Sequence, residues 1–344
     1  MTYEPEPRTE PVPTARTPIE PPRTAPLPVV RPGQHAAPAA DGIARRGEGI
    51  GGVIADPPAR HSVRGWPRLL ALVVALAGAT GLVACWRLIV GTARGQTWDE
   101  SAYAGALYGR NTLWRLAEPV LDVVSVGFVV VVLGAAALIA LARRRWGLVL
   151  QVAVLVGGAN VTTQLLKHQL LERPELGVAT ENVRNTLPSG HTTVGASVSI
   201  ALLLVVPRRL RPLVALLGAT YTVLTGISTL VGQWHRPSDV LAALFVVLAW
   251  AGLVLALTPR SGLDRDGTHG TAGTAVATTL LVVAFAVSAA LAYGALSGAL
   301  TWGAEPETRD YLSAGALVAA VTAAVFGLVL LVRQATARGA ALHR

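Results

Sequence analysis

Lysine is all but missing from this chain. Of 29 Lys and Arg residues in 344, a single one is lysine, Lys167, so a compact ammonium stands at one place in a protein that otherwise uses guanidinium. Cysteine is equally scarce: Cys85 lies alone inside an apolar run, which excludes a disulfide framework and a cysteine metal site. Charged residues reach only 14% and hydrophobic residues fill 52%, whereas soluble domains carry about 25% charge. That excludes an ordinary water-soluble domain. No group of carboxylates has the spacing of a Mg2+ or Ca2+ site, so neither a metal nor another cofactor is expected. The net charge of +9 comes from basic residues dispersed along loops rather than gathered with aromatics. A nucleic-acid partner is therefore not expected, and membrane topology accounts for the excess.

Long apolar runs are what the chain has instead. Eight candidate spans follow, at 69–90, 121–141, 148–166, 192–206, 213–231, 240–257, 275–296 and 312–332. The fold class is an all-α integral membrane protein. Residues 1–65 hold 13 of the 22 prolines, eight arginines and seven acids without apolar periodicity, and so read as a disordered, proline-rich tail. The first apolar run starts near Leu69, too late for a signal peptide. The tail's composition names no particular partner.

Arginine placement orients the spans. Arg143, Arg144 and Arg145 follow the second, Arg208, Arg209 and Arg211 the fourth, and Arg333, Arg338 and Arg344 the eighth, none with an acid nearby in sequence. In the alternate loops arginines are balanced by Asp99, Glu100 and Glu118, or by Glu305, Glu307 and Asp310. The positive-inside rule then places both termini in the cytoplasm and the protein in the cytoplasmic (inner) membrane. The loop with Gln96, Asp99 and Glu100 reads as solvated, or as a lid over whatever the outer face binds.

Three polar islands interrupt the apolar runs on that outer side: KHQLLERP at 167–174, PSGH at 188–191 and STLVGQWHRPSD at 228–239. Polar groups at such depth are costly unless they have a task. In the second, Ser189, Gly190 and His191 precede a helix whose free N–H groups and dipole favour an anion; the same residues also suit an ordinary capped helix start. In the third, His235 and Asp239 are four apart, on one helix face, so a carboxylate can fix the imidazole tautomer and leave the other nitrogen as nucleophile or base. A capped N-terminus with an incidental histidine is the plainer alternative, with Trp234 as an interface anchor. In the first, Lys167 and Arg173 suit either anion binding or snorkelling, and the uniqueness of Lys167 favours the former. His168 points to another helix side and reads as interfacial.

The three islands resemble the motifs of the type 2 phosphatidic acid phosphatase (PAP2) superfamily: K...RP, PSGH and SR...H...D, in that order. The resemblance implies a six-helix phosphatase core over 66–258, two additional C-terminal transmembrane helices over 259–334, and a short cytoplasmic tail at 335–344. It also implies metal-free phosphoryl transfer. His235 would attack phosphorus, Asp239 would orient it, and His191 would protonate the leaving oxygen, with Lys167, Arg173, Ser189 and Gly190 holding the non-bridging oxygens. Two positions depart from the pattern. Five residues separate Lys167 from Arg173 where the family has six, a rotation of about 100° on a helix. Thr229 stands where the family places a phosphate-binding arginine, and Arg184 and Arg236 are the candidates to replace its charge.

An outward site beside apolar spans suits an amphiphilic substrate, such as a polyprenyl diphosphate, phosphatidic acid or phosphatidylglycerol phosphate. The arginine- and alanine-rich composition looks bacterial. The competing readings are a soluble phosphomonoester phosphatase or haloperoxidase sharing the anion pocket, and a lipid-phosphate-binding protein without turnover, which Thr229 favours. A transporter is disfavoured because no internal repeat with paired broken helices is present. The orientation has a direct check. In a Cys85→Ala background, a cysteine at position 181 is expected to react with an impermeant thiol reagent in intact cells and one at 209 to remain unlabelled; the reverse pattern overturns the topology.

Overall fold

The computed structural model describes residues 62–63, 65–123, 126–142, 144–178, 185–259, 262–264, 272–337 and 339–340. Of the expected tail over 1–65, residues 1–61 and 64 lie outside the described residues, as does Arg184. Nine helices carry the chain among those described: α1 (Gly65–Cys85, continued by a π turn, Trp86–Val90), α2 (Ala93–Val123), α3 (Val126–Ala142), α4 (Trp146–Leu165, continued by a π turn, Leu166–Leu170), α5 (Gly190–Val205), α6 (Arg211–Val231), α7 (Pro237–Ala256), α8 (Ala272–Leu296) and α9 (Pro306–Thr336). Six are long and apolar enough to cross a membrane, and α5 and part of α3 are shorter apolar helices. Every apolar run thus folds as a helix, the one open form that satisfies all its backbone groups within lipid. The chain is an all-α, multi-pass membrane protein.

One helix was not expected. The stretch between the first two apolar runs is neither loop nor solvated: it forms α2, 31 residues long. Its polar content hides it from any hydropathy window. The structure reveals a buried face at helical spacing, Gln96, Asp99, Ala102 and Ala106, all 0–2% exposed.

Small residues bring the helices together, as expected where lipid provides no hydrophobic drive to pair them. At the crossing of α1 with α7, a Cβ on Gly78 would lie 2.4 Å from the Ala249 nitrogen, and one on Gly252 would lie 2.4 Å from the Ala75 nitrogen. Larger residues would force these backbones apart. Above and below them, Leu148, Leu155, Ile200, Leu204, Leu244, Leu255 and Phe326 fill a continuous core. The C-terminal hairpin is not an appendage: α9 packs on α1, α2, α6, α7 and α8, and Asp56–Arg344 form one compact unit. The two described chain ends also meet, as β1 (Ser62–Val63) pairs antiparallel with β2 (Gly339–Ala340), Ser62 opposite Ala340.

At this end of the bundle three of the arginines used for orientation, Arg145, Arg208 and Arg211, do have an acid nearby in space. Arg211 grips Asp264 with two hydrogen bonds, of 2.7 and 2.9 Å, while Arg208 and Arg145 stand 3.6 and 3.7 Å away from the same carboxylate. Arg333, at the end of α9, is fully buried and donates to the carbonyls of Leu204 and Gly262 at 2.9 to 3.2 Å. Burial pushes the Asp264 carboxyl up, but the Arg211 hydrogen bonds and the charges of Arg211, Arg333 and Arg208 outweigh it and hold the group below its usual value.

Because the folded value is depressed, the stability Asp264 supplies is present above the unfolded carboxylate pKa of about 3.9 and is lost as pH falls through the folded value. Asp264→Asn leaves the buried Arg211 without its carboxylate, a change that typically costs about 3–5 kcal/mol. The variant is expected to melt well below the parent in detergent at neutral pH, with the gap closing at acid pH. Equal melting temperatures at neutral pH would show that the cluster does not hold this end together.

Candidate active site

The PSGH segment opens α5 as its residue types dictate. Ser189 is the N-cap, with extended backbone, and its Oγ accepts the Thr192 N–H at 3.3 Å. Its own N–H donates to the Asp239 carbonyl at 2.9 Å, tying the start of α5 to the start of α7. Ser189 is therefore fully buried. The first N–H groups of the helix, from Gly190 onward, precede the intrahelical ladder and face the site with the positive end of the dipole. The capped helix start is present, and it leaves the anion-pocket reading open rather than excluding it.

α7 begins at Pro237, whose missing N–H is harmless in the first turn. Asp239, two residues on and 1% exposed, collects three donors on Oδ2: the Arg236 N–H at 3.0 Å, Thr186 Oγ1 at 2.5 Å, and His235 Nδ1 at 3.1 Å. The carboxylate thereby fixes the imidazole ring through Nδ1 and leaves Nε2 for chemistry. The His191 ring stands 6.1 Å from the His235 ring, edge to face, and 5.4 Å from Trp234. Trp234, read from sequence as an interface anchor, is half-exposed and flanks the histidine pair.

Lys167 occupies the π turn that ends α4, half-buried and within electrostatic reach of Asp239 and His191. The wider π winding departs from the α register in the stretch where the first motif is one residue short. Asn185 clips that segment to the PSGH loop by donating to the carbonyls of Lys167 and Leu171 at 3.2 and 2.6 Å. His168 is exposed on the far side, as expected of an interfacial residue.

The two arginines are placed differently from Lys167. Arg173 donates to Asp99 Oδ2 at 3.0 Å and to Glu100 Oε1 at 2.9 Å, and Arg236 donates through Nε to the same Glu100 oxygen at 2.6 Å. Asp99 also accepts the Ser238 N–H at 2.9 Å and the Ser238 hydroxyl at 2.7 Å. Burial, with the Asp239 charge second, pushes the Asp99 carboxyl up to about 6 against the pull of Arg173 and Ser238. Thr229 is fully buried and donates its hydroxyl to the Gly226 carbonyl at 2.7 Å, so its side chain adds no charge to the site, while its carbonyl accepts the Trp234 and His235 N–H groups at 3.0 and 3.4 Å. His191, His235, Asp239, Lys167, Ser189 and Gly190 come together as expected. Arg173 and Arg236 adjoin them but rest on carboxylates of α2.

Sequence reasoning did not find Thr186, Asn185, Ser238 or the engagement of Asp99 and Glu100. Asn185 and Thr186 were readable as polar residues beside PSGH, but nothing local says that they turn inward. No cluster of three or more His, Cys, Asp or Glu side chains that would hold a metal ion is found among the described residues.

The sequence profile of the PAP2 superfamily matches residues 68–263, more than half of the chain. That span runs from α1 to the segment after α7 and takes in all three motifs, leaving out α8 and α9. No curated protein and no solved structure matches the chain.

Thr186 provides a test of the Asp239 hub. Removing a hydrogen bond to a charged group costs about 1.5–3 kcal/mol, and tenfold in rate corresponds to about 1.4 kcal/mol. Thr186→Val is therefore expected to slow phosphate-ester hydrolysis by about tenfold or more with little change in KM. A parental rate in Thr186→Val would mean that Asp239 is held adequately by Arg236 and His235 alone.

Proposed function

Because the chain belongs to the PAP2 superfamily, we propose that it hydrolyses a lipid phosphate or diphosphate at the outer face of the cytoplasmic membrane through a phosphohistidine on His235. The observation that carries this reading is the hydrogen bond between His235 Nδ1 and Asp239 Oδ2, 3.1 Å, with the His191 ring 6.1 Å from the imidazole. Nε2 of His235 attacks phosphorus as the bond to the leaving oxygen breaks, and His191 gives that oxygen its proton. His191 then takes a proton from water, whose oxygen attacks phosphorus; the N–P bond breaks, its electron pair returns to Nε2, and inorganic phosphate leaves. Lys167 and the N–H groups at the start of α5 stabilise the charge on the non-bridging oxygens. No step calls for a metal ion.

A lipid substrate is supported by position. The site lies at the ends of apolar helices, where a headgroup reaches Lys167 and the histidines while its chains stay among lipid. A polyprenyl diphosphate and phosphatidylglycerol phosphate both fit that description. The arginine asymmetry of the loops supports cytoplasmic termini and an outward site. A second reading, binding of lipid phosphates without turnover, draws on Thr229 and on the carboxylates that engage Arg173 and Arg236.

Purified protein in detergent, given a panel of lipid phosphates without added metal, is expected to release inorganic phosphate. His235→Ala should abolish release. His191→Ala should retain attack on esters with good leaving groups and accumulate an acid-labile phosphoenzyme that the His235 variant lacks. Full activity in His235→Ala would remove the nucleophile from the scheme, and a parent inactive on every lipid would favour the binding reading.

A further inference from the structure

The loop that carries His235 is tied first to the end of α6: the N–H groups of Gln233, Trp234 and His235 donate to the carbonyls of Leu230 and Thr229 at 2.8 to 3.4 Å. Gln233 takes a left-handed conformation at φ 54°, which residues other than glycine seldom adopt. A second set of contacts, to its side chains and to the Gln233 carbonyl, comes from one face of α2. Tyr103 donates its hydroxyl to the Gln233 carbonyl at 2.8 Å and accepts the Gln233 side-chain N–H on its own carbonyl at 3.2 Å. Glu100, three residues earlier on α2, binds Arg236 at 2.6 Å, and the Arg236 guanidinium lies 5.4 Å over the Tyr103 ring. Asp99, four residues before Tyr103, accepts both the N–H and the hydroxyl of Ser238. Residues 233, 236 and 238 thus rest on α2, flanking His235 on both sides.

α2 is itself braced by the helix hairpin that lies beyond the family match. A Cβ on Gly105 would fall 2.0 Å from the Glu307 carbonyl oxygen, so α2 and the start of α9 touch backbone to backbone. Trp98 donates its indole N–H to Ser313 of α9 at 3.1 Å. Support for the loop therefore runs from α9 through α2.

We propose that Asp99, Glu100 and Tyr103 of α2 are positioning residues for the nucleophile loop, holding the His235 imidazole in its attacking orientation without touching substrate. The inference rests on His235 as the reacting group in the function proposed above. In this role Glu100 and Asp99 keep Arg173 and Arg236 as fixed parts of the wall rather than as mobile phosphate clamps.

The test reads His235 directly. Diethyl pyrocarbonate modification, resolved by peptide mass spectrometry, gives separate rates for His235 and His191 in the full-length protein in detergent. His235 is 7% exposed in the parent and is expected to react slowly. Glu100→Gln and Tyr103→Phe are expected to accelerate His235 modification several-fold and to leave His191, which stands on α5, at the parental rate. On a lipid phosphate the same variants should lose about tenfold or more in kcat with KM within about threefold, and Glu100→Asp should recover part of the loss. Unchanged His235 reactivity in both variants overturns the proposal, as does an equal rise at His191, which would report general loosening. If the parent hydrolyses no lipid phosphate while His235 reactivity still responds selectively, the platform stands and the proposed reaction fails.

Discussion

Two carboxylates on a polar helix organise the end of this protein that carries the three motifs. Asp99 and Glu100 bind Arg173, Arg236 and Ser238 in one connected set of hydrogen bonds at 2.6 to 3.0 Å. Charges so buried are tolerable only when paired and fully bonded, because removing either partner strands the other in a low dielectric. The requirement is reciprocal. The arginines need α2 in place as much as α2 needs them, and the segments that carry the first and third motifs are locked to each other through a helix that contains neither.

The same rule shapes the opposite end, where Asp264 gathers Arg211, Arg208 and Arg145 while Arg333 takes backbone carbonyls. Between these two polar ends the helices meet through small residues, Gly78 against Ala249 and Gly252 against Ala75. In lipid, close backbone approach and hydrogen bonding replace the hydrophobic drive that packs soluble proteins. α9 runs from one polar end to the other, from Ser313 under Trp98 to Arg333 among the carbonyls, and so belongs to the support of the site although it lies beyond the family match.

Loss of the third-motif arginine changes the electrostatics of the proposed phosphate pocket. With Thr229 turned to the Gly226 carbonyl and Arg173 and Arg236 resting on carboxylates, the positive charge offered directly among the described residues is that of Lys167, supplemented by the dipole of α5. A single ammonium and oriented N–H groups stabilise charge that appears in the transition state more than charge already spread over a ground-state anion.

The apolar runs, the three motifs, and the pairing of His235 with Asp239 were legible in the chain because each depends on residues close in sequence: a helix needs its own apolar length, and an i, i+4 pair needs one turn. Ser189 as cap and Gly190 as helix start follow from the same local chemistry. Tertiary structure alone decided the fate of the charges. Arg173 and Arg236 appeared free to bind phosphate because their partners lie 73 to 136 residues away on α2, and Arg145, Arg208 and Arg211 appeared unpaired because Asp264 reaches them only in the folded bundle. Helix α2 itself escaped notice because it buries carboxylates and a glutamine rather than a stripe of leucines. A hydropathy pattern records what a helix would lose to water, whereas these side chains are held by partners that only the fold brings within 3 Å.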